Sequence, residues 1–347
     1  MLEVNPSQPR IYQYMLLFFL SQPPFLDCFK LDYLLSLIII IKALLAIVLK
    51  HLIILFKLTK KVCMANLPSL IIVDRLLENW LLEDIGRGDF TTQGLFDGKI
   101  EVNQGVWIAK EDGVIAGLPI AARVFELLDR KVQFTCNVQE GDYCQSATKI
   151  ASIEGSREAL LTGERVALNL AMRLSGIATA TRSYVEEIGD LPTKFVDTRK
   201  TTPGLRLLEK YATRVGGAVN HRMGLDDAVM IKDNHIKAAG GIEKAIALLR
   251  NNIPYPLTIE VETSNLEEVA TALQHGADTI MLDNMSLETM IQAVELIRNT
   301  SKRVKIEASG NITLETIRAI AETGINYISS SAPITRSPWL DLSMRFV

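Results

Sequence analysis

The sequence predicts an α/β fold whose larger part is a parallel sheet wrapped by helices, and three observations carry that reading. Apolar strands begin near Thr193, Ala228, Thr258, Thr279, Val304 and Asn326, the last four starts lying 21, 25 and 22 residues apart. Helix-length amphipathic stretches follow at Leu266–Leu273, Leu287–Ile297 and Leu314–Ala321. Regular strand–helix alternation at this spacing implies parallel strands covered by helices. The strands then end in polar residues: Glu262, Asp283-Asn284, Ser309-Gly310-Asn311 and Ser330-Ser331. An open doubly wound sheet and a barrel both satisfy the alternation. Polar groups gathered at C-terminal strand ends favour the barrel, because barrel enzymes carry their chemistry on that rim.

Upstream of this region the elements are smaller. Leu67 to Leu82 reads as an amphipathic helix, with Leu70, Val73, Leu76, Leu77 and Trp80 on one side. Glu83 to Asp89 is a polar loop punctuated by Gly86 and Gly88. Val102 to Ala109 reads as a strand, Pro119 to Leu128 as a helix opened by proline, and Val132 to Cys136 and Lys149 to Ile153 as two short strands. Residues 99–153 thus form a small α+β unit, and Ser156 to Leu174 is a long helix. The domain reading is residues 64–172, then a barrel over 173–337, then a tail over 338–347 that packs back on the first domain.

A chain of 347 residues suggests about two domains, and 48% apolar with 22% charged residues is a globular composition. A formal charge of −3 excludes a nucleic-acid binder that relies on bulk electrostatics. The four cysteines, Cys28, Cys63, Cys136 and Cys144, form no CxxC pair. That excludes a disulfide scaffold and a zinc–cysteine site.

Residues 1–63 differ from the rest. They hold seven basic and three acidic residues, leaving 30 basic and 37 acidic residues for 64–347. Residues 31–58 form an apolar run broken by Lys42, Lys50 and Lys57, which lie near one helix face. A membrane span is disfavoured, because a lysine near the bilayer centre costs about 2.5–3.5 kcal/mol. An interfacial helix with a narrow charged stripe fits better. No small-residue cleavage pattern marks a secretory signal, and Arg and Ser are too scarce for a transit peptide. Residues 1–63 read as a hydrophobic extension outside the enzyme fold, the alternatives being a membrane-associated helix or a packed core element. The protein reads as cytoplasmic, with membrane association through 31–58 as the alternative.

Cations collect at the barrel rim. Arg199 and Lys200 follow the strand that starts near Thr193, beside the helix opened by Pro203; Arg222 lies later in the same connection, Lys232 follows the strand that starts near Ala228, and Arg165 lies on the helix before the barrel. Each alone is a solvated charge or a salt-bridge partner. Together, in an acidic protein, Arg199, Lys200, Arg222 and Lys232 point to a small polyanionic ligand. Glu262 and Asp283 on the same rim suit a sugar hydroxyl or a divalent metal held through oxygen. Small Ser and Gly residues at the last strand ends let backbone N–H groups face a phosphate.

From Met64 to Val347 the chain resembles the quinolinate phosphoribosyltransferases. The matching stretches include Glu83-Asp84-Ile85-Gly86, Glu164-Arg165, Leu174-Ser175-Gly176-Ile177-Ala178-Thr179, Asp197-Thr198-Arg199-Lys200-Thr201-Thr202-Pro203, Asn220-His221-Arg222-Met223-Gly224-Leu225, Lys232-Asp233-Asn234-His235, Glu260-Val261-Glu262, Leu282-Asp283-Asn284 and Glu307-Ala308-Ser309-Gly310. The resemblance implies an N-terminal α/β sandwich and an incomplete, TIM-like α/β barrel. It implies a pentosyltransferase that joins quinolinate to phosphoribosyl pyrophosphate, giving nicotinate mononucleotide, pyrophosphate and carbon dioxide on the way to NAD. By resemblance Arg199, His221 and Arg222 hold quinolinate, Thr198 is among the substrate-binding residues, and Arg165 comes from a neighbouring subunit of a homodimer or higher even oligomer. Lys200 and Lys232 neutralise phosphates. Glu262 and Asp283 take the ribose hydroxyls and Mg²⁺, and Lys200, Lys232, Glu262 and Asp283 form the catalytic set. Ser309, Gly310 and Asn311 with Ser330, Ser331 and Ala332 cradle the 5′-phosphate. Asn311 and Ser331 stand where many relatives have glycine. Two other readings are a sibling phosphoribosyltransferase acting on another small ring and a membrane-tethered anion binder without catalysis. Two substrate carboxylates call for the four-residue set Arg165, Arg199, His221 and Arg222, which favours quinolinate. A pure anion binder would gain by losing Glu262 and Asp283.

Overall fold

The structure, a computed structural model, describes residues 67–96 and 101–347. The reading of residues 1–63, including the 31–58 run, lies outside the described residues.

Helices α1 (Leu70–Ile85) and α2 (Phe90–Phe96) lead into strands β1 (Val102–Ala109) and β2 (Gly113–Val114), helix α3 (Leu118–Leu128), strands β3 (Gln133–Cys136), β4 (Tyr143–Cys144) and β5 (Lys149–Ser156), and helix α4 (Arg157–Glu187). The second part runs β6 (Lys194–Val196), α5 (Arg206–Val215), β7 (Val229–Ile231), α6 (Asp233–Ala239), α7 (Ile242–Asn252), β8 (Ile259–Thr263), α8 (Leu266–Gln274), β9 (Thr279–Asp283), α9 (Leu287–Thr300), β10 (Lys305–Ser309), α10 (Leu314–Glu322), β11 (Tyr327–Ser329), α11 (Ala332–Thr335) and β12 (Leu342–Phe346).

The first part is an antiparallel sheet, ordered β12-β1-β5-β3, with helices packed on it. Trp107, Phe125 and Phe134 meet in its core, Trp107 edge-on to both phenylalanines at centroid separations of 6.2 and 5.4 Å. Edge-to-face contact sets the positive ring rim against a neighbour's negative face. β12 pairs antiparallel with β1 from Leu342 to Phe346, so the C-terminal tail returns to the first layer.

The second part is a six-stranded parallel sheet ordered β6-β11-β10-β9-β8-β7. β6 and β7 are not joined; instead Val219 makes a lone parallel bridge to Val196 of β6. This is the incomplete, TIM-like α/β barrel. The gap has a packing cause. Leu208, Tyr211, Ala212 and Val215 of α5 are buried in the core of the first layer, not in the barrel core, so the helix after β6 packs against α4 instead of closing the wall. β8 is buried on both faces, as a helix-covered parallel strand must be.

One sequence expectation is corrected here. The helix read as ending at Leu174 continues to Glu187. Gly176 looks like a helix stop, yet its hydrogen faces the tail: a Cβ there would sit 2.0 Å from the Pro338 carbonyl oxygen. It is glycine for close packing, so α4 runs on and spans both layers.

Candidate active site

A cleft of about 610 Å³ opens at the C-terminal ends of the barrel strands. Thr198, Arg199, Lys200, His221, Arg222, Lys232, Glu262, Asp283, Ser309, Gly310 and Asn311 all line it, together with Met230, Met281, Asn284, Glu307 and Ser329, which the sequence reading did not assign.

Two buried residues of α5 fix the cationic loop at both ends. Lys210 pairs with Asp197 just after β6, and Asp197 also accepts from Thr213 Oγ1 (2.9 Å), Asn220 Nδ2 (2.6 Å) and the His221 N–H (2.9 Å). Glu209 accepts from the Thr202 N–H at 2.8 Å and from Arg173 Nη2 of α4 at 2.8 Å. Glu209 and Lys210 are both fully buried. The loop bearing Arg199 and Lys200 therefore hangs between two anchors of opposite charge, and the same Asp197 places His221. Burial pulls the Lys210 ammonium pKa downward, and the Asp197 charge opposes this.

Arg222 is 9% exposed and donates from Nη1 to the Ala228 carbonyl at 2.7 Å. Its pKa is lowered, first by burial and then by the Arg199 cation. The buried Arg199 Nε has no hydrogen-bond partner. Two guanidiniums facing one cleft with a free donor suit a planar carboxylate, which accepts two parallel N–H bonds.

The same cleft is lined by the carboxylates of Glu262 and Asp283. Lys232 donates to Glu262 Oε2 at 2.6 Å. Asn311 Nδ2 donates to Asn284 Oδ1 at 3.0 Å, and Asn284 Nδ2 donates to Asp283 Oδ2 at 2.9 Å. Asn284 and Asn311 adopt left-handed backbone, φ 53° and 51°. Asparagine tolerates this region better than most residues. Asn311 thus keeps a glycine-like backbone and adds a side chain that orients Asp283 through Asn284. Between them Gly310 has φ 95°, and a Cβ there would lie 2.3 Å from Asn284 Oδ1. Gly310→Ala should break this chain at a backbone cost of about 1–2 kcal/mol. Ligand titration should show the affinity of this rim for a phosphate-bearing ligand lowered on the order of tenfold, which is about 1.4 kcal/mol of lost binding.

Beneath the rim, His221 Nε2 lies 3.1 Å from Glu260 Oε2 and 3.6 Å from Glu307 Oε2. The Arg222 N–H donates to His221 Nδ1 at 2.7 Å, so the neutral ring carries its proton on Nε2, toward the carboxylates. Burial lowers the His221 pKa, but the Glu260 hydrogen bond and the Glu307 and Glu260 charges outweigh it and the net shift is upward. Burial, then the Glu260 charge, pushes Glu307 up to about 8, with His221 opposing. Glu260 and Glu307 belong to stretches quoted above as resembling the family, yet no role was assigned to them. Strand alternation was the available signal, since Glu260 and Glu307 sit two residues before Glu262 and Ser309 and share their face.

Four predicted residues are not brought to this cleft. Ser330, Ser331 and Ala332 do not line it, though Ser329 beside them does. Ser331 has φ −86°, a conformation that needs no glycine. Arg165 is exposed on α4 and lines a different cleft with Trp80, Glu83, Asp84, Arg173 and Trp339.

An α/β barrel with one missing closure, a doubly cationic pocket and facing carboxylates defines a transferase of phosphorylated sugars acting on an anionic acceptor. The comparisons narrow this. "Quinolinate phosphoribosyl transferase, N-terminal domain" matches residues 89–175, and the C-terminal domain of the same family matches 177–345. This chain belongs to the quinolinate phosphoribosyltransferase family. It is 62% identical over 284 residues to the "Probable nicotinate-nucleotide pyrophosphorylase (carboxylating)" of Synechocystis sp., covering 82% of this chain and 96% of that relative. The Bacillus subtilis protein of the same name is 46% identical over 270 residues, 78% of this chain and 92% of the relative. The crystal structure of NadC from Streptococcus pyogenes aligns with a TM-score of 0.77 at 44% identity, over 81% of this chain and 99% of that one.

Proposed function

We propose that this chain transfers the phosphoribosyl group of phosphoribosyl pyrophosphate to quinolinate with decarboxylation, giving nicotinate mononucleotide, pyrophosphate and carbon dioxide in NAD biosynthesis. Family membership supports the reaction. The observation that carries the residue assignment is that Arg199, Arg222, Glu262 and Asp283 all line one cleft.

In this reading Arg199, His221, Arg222 and Thr198 hold quinolinate, with Arg165 supplied by a partner subunit. Lys200 and Lys232 face the phosphates. Glu262 and Asp283 hold the ribose hydroxyls and stabilise positive character at the ribose carbon as pyrophosphate leaves. Ser309, Gly310 and Asn311, continued by Ser330, Ser331 and Ala332, receive the 5′-phosphate. Mg²⁺ fits as the ion carried by phosphoribosyl pyrophosphate: the two carboxylates are too few for a closed protein cage, and Mg²⁺ is commonly bound by one or two carboxylates plus substrate phosphates. Its chemistry there is to neutralise the departing pyrophosphate. The protein acts as a homodimer or higher even oligomer in the cytoplasm. Among the described residues no helix is long and apolar enough to cross a membrane.

Arg222→Lys tests the acceptor assignment. Lysine keeps the charge and loses the fork. Quinolinate KM should rise on the order of a hundredfold, about 2.7 kcal/mol, with phosphoribosyl pyrophosphate KM little changed. Equal losses for both substrates would assign Arg222 to the wrong ligand.

A further inference from the structure

Resting on the reaction proposed above, one atom remains unsupplied. The ring carbon C2 that loses its carboxylate must gain a hydrogen, and Lys200, Lys232 and the arginines are placed to hold anions. Glu307 on β10 is 3% exposed, yet it lines the substrate cleft beside Ser329. It also lines a second cleft of about 440 Å³, shared with Glu260, Thr258, Thr279 and Tyr327. Thr258 and Thr279 stand where β8 and β9 begin, at the opposite end of the barrel from the rim. Glu307 therefore forms part of the wall between the substrate and a separate opening.

The hydrogen bonding decides its state. The His221 ring has one proton, on Nε2, because Nδ1 accepts from the Arg222 N–H. That proton points to Glu260 at 3.1 Å, with Glu307 farther at 3.6 Å. One imidazole proton cannot serve two adjacent buried carboxylates, and with the three groups within 4.8 Å of one another each carboxylate charge disfavours ionisation of the other. Oε1 of Glu260 and Oε1 of Glu307 both lack a partner; because Glu260 is the nearer acceptor of the His221 proton, Glu307 is the carboxyl left to carry its own. The titratable and charged groups around Glu307 are Glu260 from β8, His221 and Arg222 from the loop after α5, and Tyr327 from β11, with Ser329 of β11 beside it and Asp227 farther along the second cleft; Lys210 of α5 bears on His221. Its pKa of about 8 agrees with a carboxyl that is protonated at neutral pH.

We propose that Glu307 is the catalytic acid that protonates C2 of the ribosylated pyridine as carbon dioxide leaves, and that the second cleft resupplies it from water. The C2–carboxylate bond breaks and its electron pair stays on C2. Carbon dioxide departs, and C2 takes the proton of the Glu307 carboxyl, which becomes a carboxylate. Solvent water entering the second cleft returns the proton. A metal at this triad is disfavoured by the same geometry, since a protonated Nε2 cannot ligate.

Glu307→Gln in the full chain tests this. Nicotinate mononucleotide formation should show kcat lowered on the order of a hundredfold, within the usual worth of a positioned acid. Both substrate KM values should stay within about threefold, because no ground-state contact is lost. Wild-type kcat should fall as pH rises through about 8, and this limb should vanish in the variant. An unchanged kcat, or a loss confined to quinolinate KM, overturns the proposal. If Glu307→Gln does not fold, the wild-type profile decides: a kcat that stays flat as pH rises through about 8 overturns it. A wild-type chain that makes no nicotinate mononucleotide would instead overturn the substrate reading.

Discussion

Lys210→Met should destabilise the protein by about 3–5 kcal/mol, the usual cost of removing one partner of a buried ion pair. Lys210 is fully buried, and it holds Asp197, which is 1% exposed. Methionine fills the space and leaves the Asp197 carboxylate without a counter-charge. Asp197 keeps its bonds from Thr213, Asn220 and the His221 N–H, so unfolding is not expected to be complete. Thermal denaturation should show a fall in Tm on the order of 10 °C. The double variant Lys210→Met with Asp197→Leu separates stability from placement. An apolar pair of similar volume should recover most of the lost Tm. Activity should not return, because the His221 backbone and the Arg199–Lys200 loop lose the carboxylate that positions them. Recovery of activity along with Tm would show that Asp197 has no positioning role.

Subunit mixing should give the second large effect. Arg165 and Arg222 are both assigned to quinolinate, yet Arg165 lines a different cleft of its own chain from the one Arg222 lines. In a two-fold dimer each subunit completes the other's pocket. Arg165→Ala and Arg222→Ala should each be nearly inactive alone. Mixed and allowed to exchange, they form heterodimers with one site holding both arginines and one holding neither. Random pairing makes about half the dimers mixed, so activity should return to roughly a quarter of wild type if sites act independently. No recovery, with exchange verified by native mass spectrometry, would place Arg165 in its own subunit's site.

Much of the fold was legible because its signals are local. The strand starts near Thr258, Thr279, Val304 and Asn326 fall within one residue of β8, β9, β10 and β11, where apolar runs meet turn residues. The β1 reading from Val102 to Ala109 matches in both bounds. Helix α2 was not read, since Phe90–Phe96 is short and holds two threonines and a glycine. The continuation of α4 past Leu174 was not legible, because a sequence shows the absence of a side chain at Gly176 and not the carbonyl that takes its place.

The sequence by itself determined the α/β class, the strand ends that carry polar residues, and the stretches that mark the family. Chemistry-bearing residues at a strand end are readable because strand periodicity fixes which face they share. Tertiary structure alone decided that α5 leaves the barrel for α4, that Glu209 and Lys210 anchor the cationic loop from both sides, and that Arg165 faces away from its own cleft. It alone set His221 between Glu260 and Glu307. These depend on contacts between residues far apart in the chain, His221 lying 39 positions before Glu260 and 86 before Glu307, and burial is what converts such contacts into fixed charges and shifted protons.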